Sequence, residues 1–362
     1  MKYYTNKKIY KIKLTVTTRC NLECPYCFVK KTNEDIKWKV AKNAIDLLNK
    51  SPGKNKLLSI YGGEPLLRFS VIKKIVNYAT ATAKRNKKKL DISICSNLTL
   101  LQKTHLGFLR KNDIKIICSL VGKKGFHDKV RIRKNKAGTH QLVLKKLHLL
   151  RAKIPKKNVG VSFCILPSNV AFMMDNFLYL LNLGFSYINF EIIRDYEPWQ
   201  VKDMVIFYAN YKKIILYMLA NINKRNFIFV NYVNWEISRK RISENLSGSC
   251  PFNYSLEAYP NGDVAFSPFL LNDKEKEKYI IANLNKKKGF LFANCIYSKT
   301  SEVCRRCIKD YFKPYNTDKG ADAIHRIYSR LSLLAAMKII KESKSKKIFK
   351  EYIEEIKGKV CF

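Results

Sequence analysis

The chain has 362 residues, 47% of them apolar, which is enough to bury a core in one large domain with a smaller one attached. Seventy Lys and Arg against 28 Asp and Glu give a formal net charge of +42, but the lysines are spread along the whole chain as a solvated bias. No stretch approaches the roughly 20 apolar residues of a membrane span, and eleven cysteines without an export signal favour metal binding in a reducing cytoplasm over disulfides.

The first apolar run, Ile9–Val16, carries lysines throughout and reads as a strand. Directly after it comes CNLECPYC, with Cys20, Cys24 and Cys27 in a C-x3-C-x2-C spacing. Thiolates that close on one loop can hold three irons of a four-iron cluster and leave the fourth without a protein ligand. Structural iron–sulfur and zinc sites normally close with four ligands, so a missing fourth marks a site kept open for a small molecule. Three cysteines that merely happen to lie near each other, or zinc with a distant fourth ligand, are the other readings of the same residues.

A helix-like stretch at 36–50 leads to a second strand, Leu57–Tyr61, and then to Tyr61-Gly62-Gly63-Glu64-Pro65. Two glycines at a strand end let the backbone approach a ligand closely, and Glu64 adds a carboxylate that can face a cation. With the cysteine loop, this segment resembles the radical S-adenosylmethionine (radical SAM) enzymes, and Tyr26 before the third cysteine fits the same pattern. The resemblance implies S-adenosylmethionine on the open iron and one-electron cleavage to a 5′-deoxyadenosyl radical. It places Glu64 at the methionine ammonium, Gly62 and Gly63 in the cofactor cradle, and Tyr26 near the adenine. It also implies an electron donor of flavodoxin or ferredoxin type.

Further strands follow at Leu90–Cys95, Ile114–Leu120, Val159–Leu166 and Tyr187–Ile192, separated by helix-like stretches near 69–85, 100–111, 139–152 and 169–183. Strands alternating with helices of this length predict a parallel α/β sheet, with the site at the carboxyl ends of the strands. Six such units match the partial (β/α)6, TIM-like barrel of the radical SAM family. Asn97 follows the third strand and Ser119 ends the fourth; by resemblance Asn97 shapes the cofactor pocket and Ser119 hydrogen-bonds the cofactor. Ordinary turn chemistry is the alternative for both. His127-Asp128 and Arg131 resemble a His-Asp-x-x-Arg segment of the peptide-modifying branch, where Val121 replaces that branch's aspartate. Cys95, Cys118 and Cys164 lie within strands and read as small core residues.

The expected division is a barrel at 1–198, a helical connector at 199–248, and a C-terminal α+β, cysteine-containing domain at 249–362 that ends in helices. Alternation around Pro260-Asn261-Gly262-Asp263 predicts a β-hairpin. With Cys250, Cys295, Cys304 and Cys307, this order resembles the SPASM or twitch auxiliary extension. Four cysteines allow one auxiliary four-iron cluster, a zinc ion, or a metal-free remnant. Ser267 stands where that extension has a cysteine, and Pro268 where sulfatase-maturing members have a catalytic aspartate, so their base chemistry is not expected here.

The leading expectation is therefore a cytoplasmic maturase that modifies a ribosomally made peptide or a protein side chain by cross-link, thioether or epimerisation, with an acidic peptide suited to the positive surface. An RNA-modifying enzyme needs a localised basic groove, and the clusters at 84–89 and 344–347 lack interleaved aromatics. A zinc-stabilised nucleic-acid-binding protein is the non-enzymatic alternative. Colour separates it from an iron–sulfur protein, which is brown.

Overall fold

The computed structural model describes residues 9–194, 196–234, 236–237, 255–265, 280, 282–285 and 319–357. Cys250, Cys295, Cys304 and Cys307, and with them Ser267, Pro268 and Cys361, lie outside the described residues. The chain divides into two compact units. The first takes Met1–Glu23, Cys27–Ile116 and Ser249–Pro314; the second takes Cys24–Tyr26, Ile117–Gly248 and Tyr315–Phe362.

In the first unit β1 (Lys11–Thr17), β2 (Asn55–Gly62) and β3 (Lys89–Ser96) run parallel. Ile12 pairs with Leu58 and Leu14 with Ile60, while Leu58 and Ile60 pair with Ile92 and Ile94. These rows are buried. The helices α1 (Trp38–Lys50) and α2 (Phe69–Arg85) pack on the strands and on each other. Both are helical because their apolar residues recur at three and four, as in Val40, Ala44, Ile45, Leu48 and Ile72, Ile75, Val76, Ala79. A shorter helix, α3 (Lys103–Lys111), follows β3.

Side chains alternate across a strand, so the positions between these rows face the other way. That face is polar. Lys13 pairs with both Ser59 and Glu257, and Ser59 with Ser93. A parallel sheet packed on both sides would carry apolar residues on both, so this row marks a face that is more than core.

Glu257 arrives from far along the chain. The expected hairpin forms, with strands Ser255–Ala258 and Asp263–Ala265 joined through Gly262, whose φ of +93° suits the tight turn. Its first strand then pairs in parallel with β1, Leu256 opposite Ile12, and Ala282–Asn283 pairs antiparallel with the second. The hairpin thus extends the edge of the parallel sheet of its own unit, a placement that alternation alone does not reveal.

The chain passes into the second unit within β4 (Lys115–Ser119). There β5 (Val159–Ile165), β6 (Tyr187–Ile192) and β7 (Phe229–Val230) are parallel, Phe163 opposite Phe190 and Tyr187 opposite Phe229. α4 (Lys124–Val130), α5 (His140–Arg151), α6 (Met173–Asn182) and α7 (Val201–Asn223) lie between and after them. Two C-terminal helices, α8 (Lys319–Glu342) and α9 (Lys347–Lys357), pack on α7. Phe207 and Tyr211 on α7 and Tyr328 on α8 are core, with the Tyr211 and Tyr328 rings 4.8 Å apart, whereas Tyr208 and Tyr217 on α7 are exposed. The two core tyrosine hydroxyls keep partners, Tyr211 with Ser332 Oγ at 2.7 Å and Tyr328 donating to Asn231 Oδ1 at 2.6 Å. No helix among the described residues is long and apolar enough to cross a membrane.

Candidate active site

The cysteine loop leaves β1 and is closed at its base by an antiparallel clasp. Thr18 N donates to Glu34 O at 2.9 Å and Ile36 N to Val16 O at 3.0 Å. Asp35 locks the clasp: it accepts Thr17 Oγ1 at 2.7 Å, binds the Arg19 guanidinium, and meets Arg68 Nη1 at 3.3 Å. Lys31 Nζ also donates to Leu22 O at 2.6 Å, across the loop. Sequence reading missed Asp35. Its only signal was an acidic residue within reach of two arginines in a chain poor in acids.

Gly62 and Gly63 have a use that the sequence did not specify. Their N-terminal neighbour strand, β2, ends against the chain that enters the cysteine loop. A Cβ at Gly62 would lie 2.3 Å from Thr17 O, and one at Gly63 would lie 2.2 Å from Arg19 O. That closeness allows Gly63 N to donate to Thr17 O at 2.9 Å and Glu64 N to Arg19 O at 2.8 Å. The close approach is thus to the chain's own backbone. Gly63→Ala must push backbone from backbone, and overpacking of this kind costs about 1–3 kcal/mol. The variant should unfold at lower temperature and take up less iron on reconstitution than wild type. Gly107→Ala on α3, where a Cβ meets nothing within 4 Å, is the control and should be neutral or slightly stabilising. Equal melting temperatures and iron contents for wild type and Gly63→Ala would remove the argument.

Glu64 is fully buried at the end of β2. Its Oε1 accepts Leu66 N at 3.0 Å and Ser96 Oγ at 2.8 Å, and its Oε2 accepts Asn97 N at 2.8 Å. The carboxylate therefore ties the ends of β2 and β3 together, in addition to any cation it faces.

Asn97 carries this network to the first cysteine. Its Oδ1 accepts both Thr99 N at 2.9 Å and Thr99 Oγ1 at 2.7 Å. Its Nδ2 then points the other way, to Asn21 Oδ1 at 3.0 Å and Cys20 Sγ at 3.9 Å. Asn21 returns a bond to Thr99 Oγ1 at 2.8 Å, and Leu22 N approaches Cys20 Sγ at 3.4 Å. Ser96, Thr99 and Asn21 were not singled out from sequence; short polar residues at a strand end look the same whether they cap a turn or brace a ligand.

On the polar face of the same sheet, Lys13 Nζ lies 3.0 Å from Glu257 Oε1 and 4.8 Å from the Tyr61 ring centroid, and Tyr61 stacks on Phe28 at 6.2 Å. Burial raises the Glu257 carboxyl above the usual carboxylate range, with Lys13 opposing.

In the second unit Tyr26 lies under Arg131, whose Cζ is 5.9 Å from the ring centroid, and beside Tyr196 at 6.4 Å. Burial raises the Tyr26 phenol well above its ordinary range, with Arg131 opposing and the Cys164 thiol beside it. Cys164 is itself pushed up to about 11, again by burial. Arg131 Nη1 also stands 4.0 Å from Cys24 Sγ. Ser119 is buried at the end of β4. His127 is buried as well: Nδ1 accepts Val121 N at 3.2 Å, so Nε2 carries the proton and donates to Thr139 Oγ1 at 3.0 Å. Burial lowers its pKa to about 3, so it is a neutral brace for the segment after Ser119.

Cys20 and Cys24 are partly exposed and Cys27 is exposed. Among the described residues no three His, Cys, Asp or Glu side chains gather to hold a single metal ion. Thiolates that each take a different iron of a cube need not meet at one point. Three cysteines on one clasped loop, with N–H donors aimed at Cys20 and a guanidinium near Cys24, suit an anionic cluster.

Residues 14–170 match the family model described as the Radical SAM superfamily. An uncharacterized protein of Methanocaldococcus jannaschii is 28% identical over 278 residues, covering 73% of this chain and 90% of that protein. The solved structure of native anSMEcpe with bound AdoMet and Cp18Cys peptide superposes with a TM-score of 0.67 at 17% identity, covering 90% of this chain and 98% of that one. Streptococcus suis SuiB bound to precursor peptide SuiA superposes with a TM-score of 0.54 at 16% identity, covering 83% and 69%. At these identities the superpositions establish the fold.

Proposed function

We propose that the protein is a radical SAM maturase that modifies a ribosomally made peptide or a protein side chain, a reading supported by the match of residues 14–170 to the Radical SAM superfamily model. The observation that carries this reading is the clasped C-x3-C-x2-C loop, braced by Gly63, Glu64 and Asn97 at the ends of the neighbouring strands. In it Cys20, Cys24 and Cys27 would hold a four-iron cluster. Gly62, Gly63, Glu64, Asn97, Ser119 and Tyr26 would line the place of S-adenosylmethionine. When bound, the cluster and S-adenosylmethionine supply one-electron chemistry that yields a 5′-deoxyadenosyl radical.

The chain's own residues do the rest. The clasp through Asp35 fixes the loop, so the thiolates need little reorganisation to bind iron. Tyr26, with Arg131 and Tyr196 against its ring, would give the cofactor a flat aromatic wall. A peptide substrate is supported by the fold shared with two structures that hold peptides. Sulfatase-type chemistry is not proposed, since Pro268 cannot accept a proton. The net charge favours an acidic peptide and an acidic flavodoxin or ferredoxin as electron donor. Cys250, Cys295, Cys304 and Cys307 are proposed to hold one auxiliary cluster that serves the peptide rather than radical generation.

The test is direct. Protein reconstituted with iron and sulfide without oxygen, then reduced with dithionite, should convert S-adenosylmethionine to 5′-deoxyadenosine and methionine. Peptides encoded by short neighbouring reading frames should then be screened by mass spectrometry for loss of hydrogen or for epimers. A fully loaded cluster that leaves S-adenosylmethionine intact would refute the reading.

A further inference from the structure

We propose that the Asn97 side-chain amide sets the reduction potential of the cluster by hydrogen bonding to the Cys20 sulfur, and that Thr99 holds the amide in the orientation that does so. The inference rests on the proposed cluster at Cys20, Cys24 and Cys27.

The geometry decides which end of the amide faces the sulfur. An amide's oxygen and nitrogen are assigned from their partners, and a backbone N–H can only donate. Thr99 N reaches Asn97 at 2.9 Å, so the atom it meets is the oxygen, and Thr99 Oγ1 donates to the same atom at 2.7 Å. The Asn97 NH2 is thereby turned toward Cys20 Sγ at 3.9 Å and Asn21 Oδ1 at 3.0 Å. The arrangement closes on itself, because Asn21 Nδ2 donates to Thr99 Oγ1 at 2.8 Å. Flipping the amide would set its NH2 against a backbone N–H and its oxygen against the Asn21 oxygen. Asn97 and Thr99 are both buried, at 5% and 7% exposure, so water is a poor substitute for either. Glu64 fixes the backbone of Asn97 independently, through Oε2 at 2.8 Å.

A thiolate that ligates iron becomes more electron-rich when the cluster is reduced. An N–H donor therefore stabilises the reduced form more than the oxidised form and raises the potential. Asn97 shares this task with Leu22 N, which approaches the same sulfur at 3.4 Å. The backbone donor is there whatever residue occupies 97, whereas the amide is a choice of side chain. A higher potential makes the cluster easier for a donor to reduce. Asn97 is thus a positioning and tuning residue and touches no reacting carbon.

The experiment is an EPR-monitored redox titration of the reconstituted full chain, with iron content measured on each sample. Asn97→Leu fills the same volume without a donor; Thr99→Val keeps the Asn97 amide but removes one of the two bonds that orient it. At a fixed potential the reduced-to-oxidised ratio should fall about tenfold in Asn97→Leu, a shift of about 59 mV to more negative values for a one-electron couple. Thr99→Val should shift in the same direction by less. Full iron content with an unshifted potential in both variants would overturn the inference and leave the proposed function standing. A wild-type chain that takes up no cluster would instead overturn the function reading itself. If Asn97→Leu fails to load iron, the Thr99→Val potential decides alone: a negative shift supports the inference and none overturns it.

Discussion

Cys20→Ala, Cys24→Ala and Cys27→Ala combined should abolish 5′-deoxyadenosine formation, to the level of a sample without protein. The effect is expected to be total because the cysteine loop, residues 18–36, holds no other cysteine. Among the described residues the other cysteines are Cys95, Cys118 and Cys164, and the latter two are buried in strands. Cys164 is far from a thiolate at neutral pH, since burial pushes its pKa to about 11. The fold should survive, because the clasp at the base of the loop uses Asp35, Arg19 and backbone atoms and not the three sulfurs. Circular dichroism should match wild type while visible absorbance from the first cluster is lost. Iron at Cys250, Cys295, Cys304 and Cys307 would remain as a separate quantity. Cofactor cleavage that persists in the triple variant, with a wild-type far-ultraviolet spectrum, would show that another part of the chain holds the reactive cluster.

Glu64→Gln is expected to act twice, on folding and on cofactor affinity. The carboxylate accepts bonds from Leu66 N, Ser96 Oγ and Asn97 N. Glutamine keeps one oxygen and turns the other into a donor, so at least one of these groups faces a donor and loses its acceptor. A buried group left unsatisfied costs about 1–3 kcal/mol, and that much stability should be lost in a denaturant titration. Loss of the negative charge should also weaken S-adenosylmethionine binding by about ten- to a hundredfold, if the ammonium meets this carboxylate. The two effects separate in Ser96→Ala, which removes one donor to Glu64 and keeps the charge. That variant should lose stability while its cofactor dissociation constant stays near wild type. A Glu64→Gln protein with wild-type affinity and lowered stability would make Glu64 a tie between strand ends and nothing more.

The order of strands and helices was legible because each unit repeats a short-range pattern. The stretch 69–85 and the strand at Tyr187–Ile192 fall where periodicity puts them. α4 escaped notice because seven residues, Lys124–Val130, hold too few turns to show a period. The helix expected from 169 starts at Met173, since Pro167 opens with a tighter turn, Pro167–Phe172, that defers the α-helical bonding. For the site, spacing identified Cys20, Cys24, Cys27, Gly62, Gly63, Glu64 and Asn97 as residues with a task, but not what each touches.

What the sequence determined by itself is local: a parallel α/β chain, a cysteine loop at the first strand's carboxyl end, and a glycine pair and carboxylate at the second's. These follow from spacing along the chain, which fixes what neighbours in sequence can reach. What only the tertiary structure decided are the partners between distant segments. Gly63 accommodates the Arg19 carbonyl, Asp35 locks the loop, Glu64 reaches Asn97, and the Asn97 amide faces Cys20. Strand register sets each of these, and register is chosen by burial of whole apolar rows such as Leu14, Ile60 and Ile94. The same holds for Glu257, which joins Lys13 only because its hairpin adds to the edge of β1. A polar side chain carries no mark of its partner until the apolar rows have placed it.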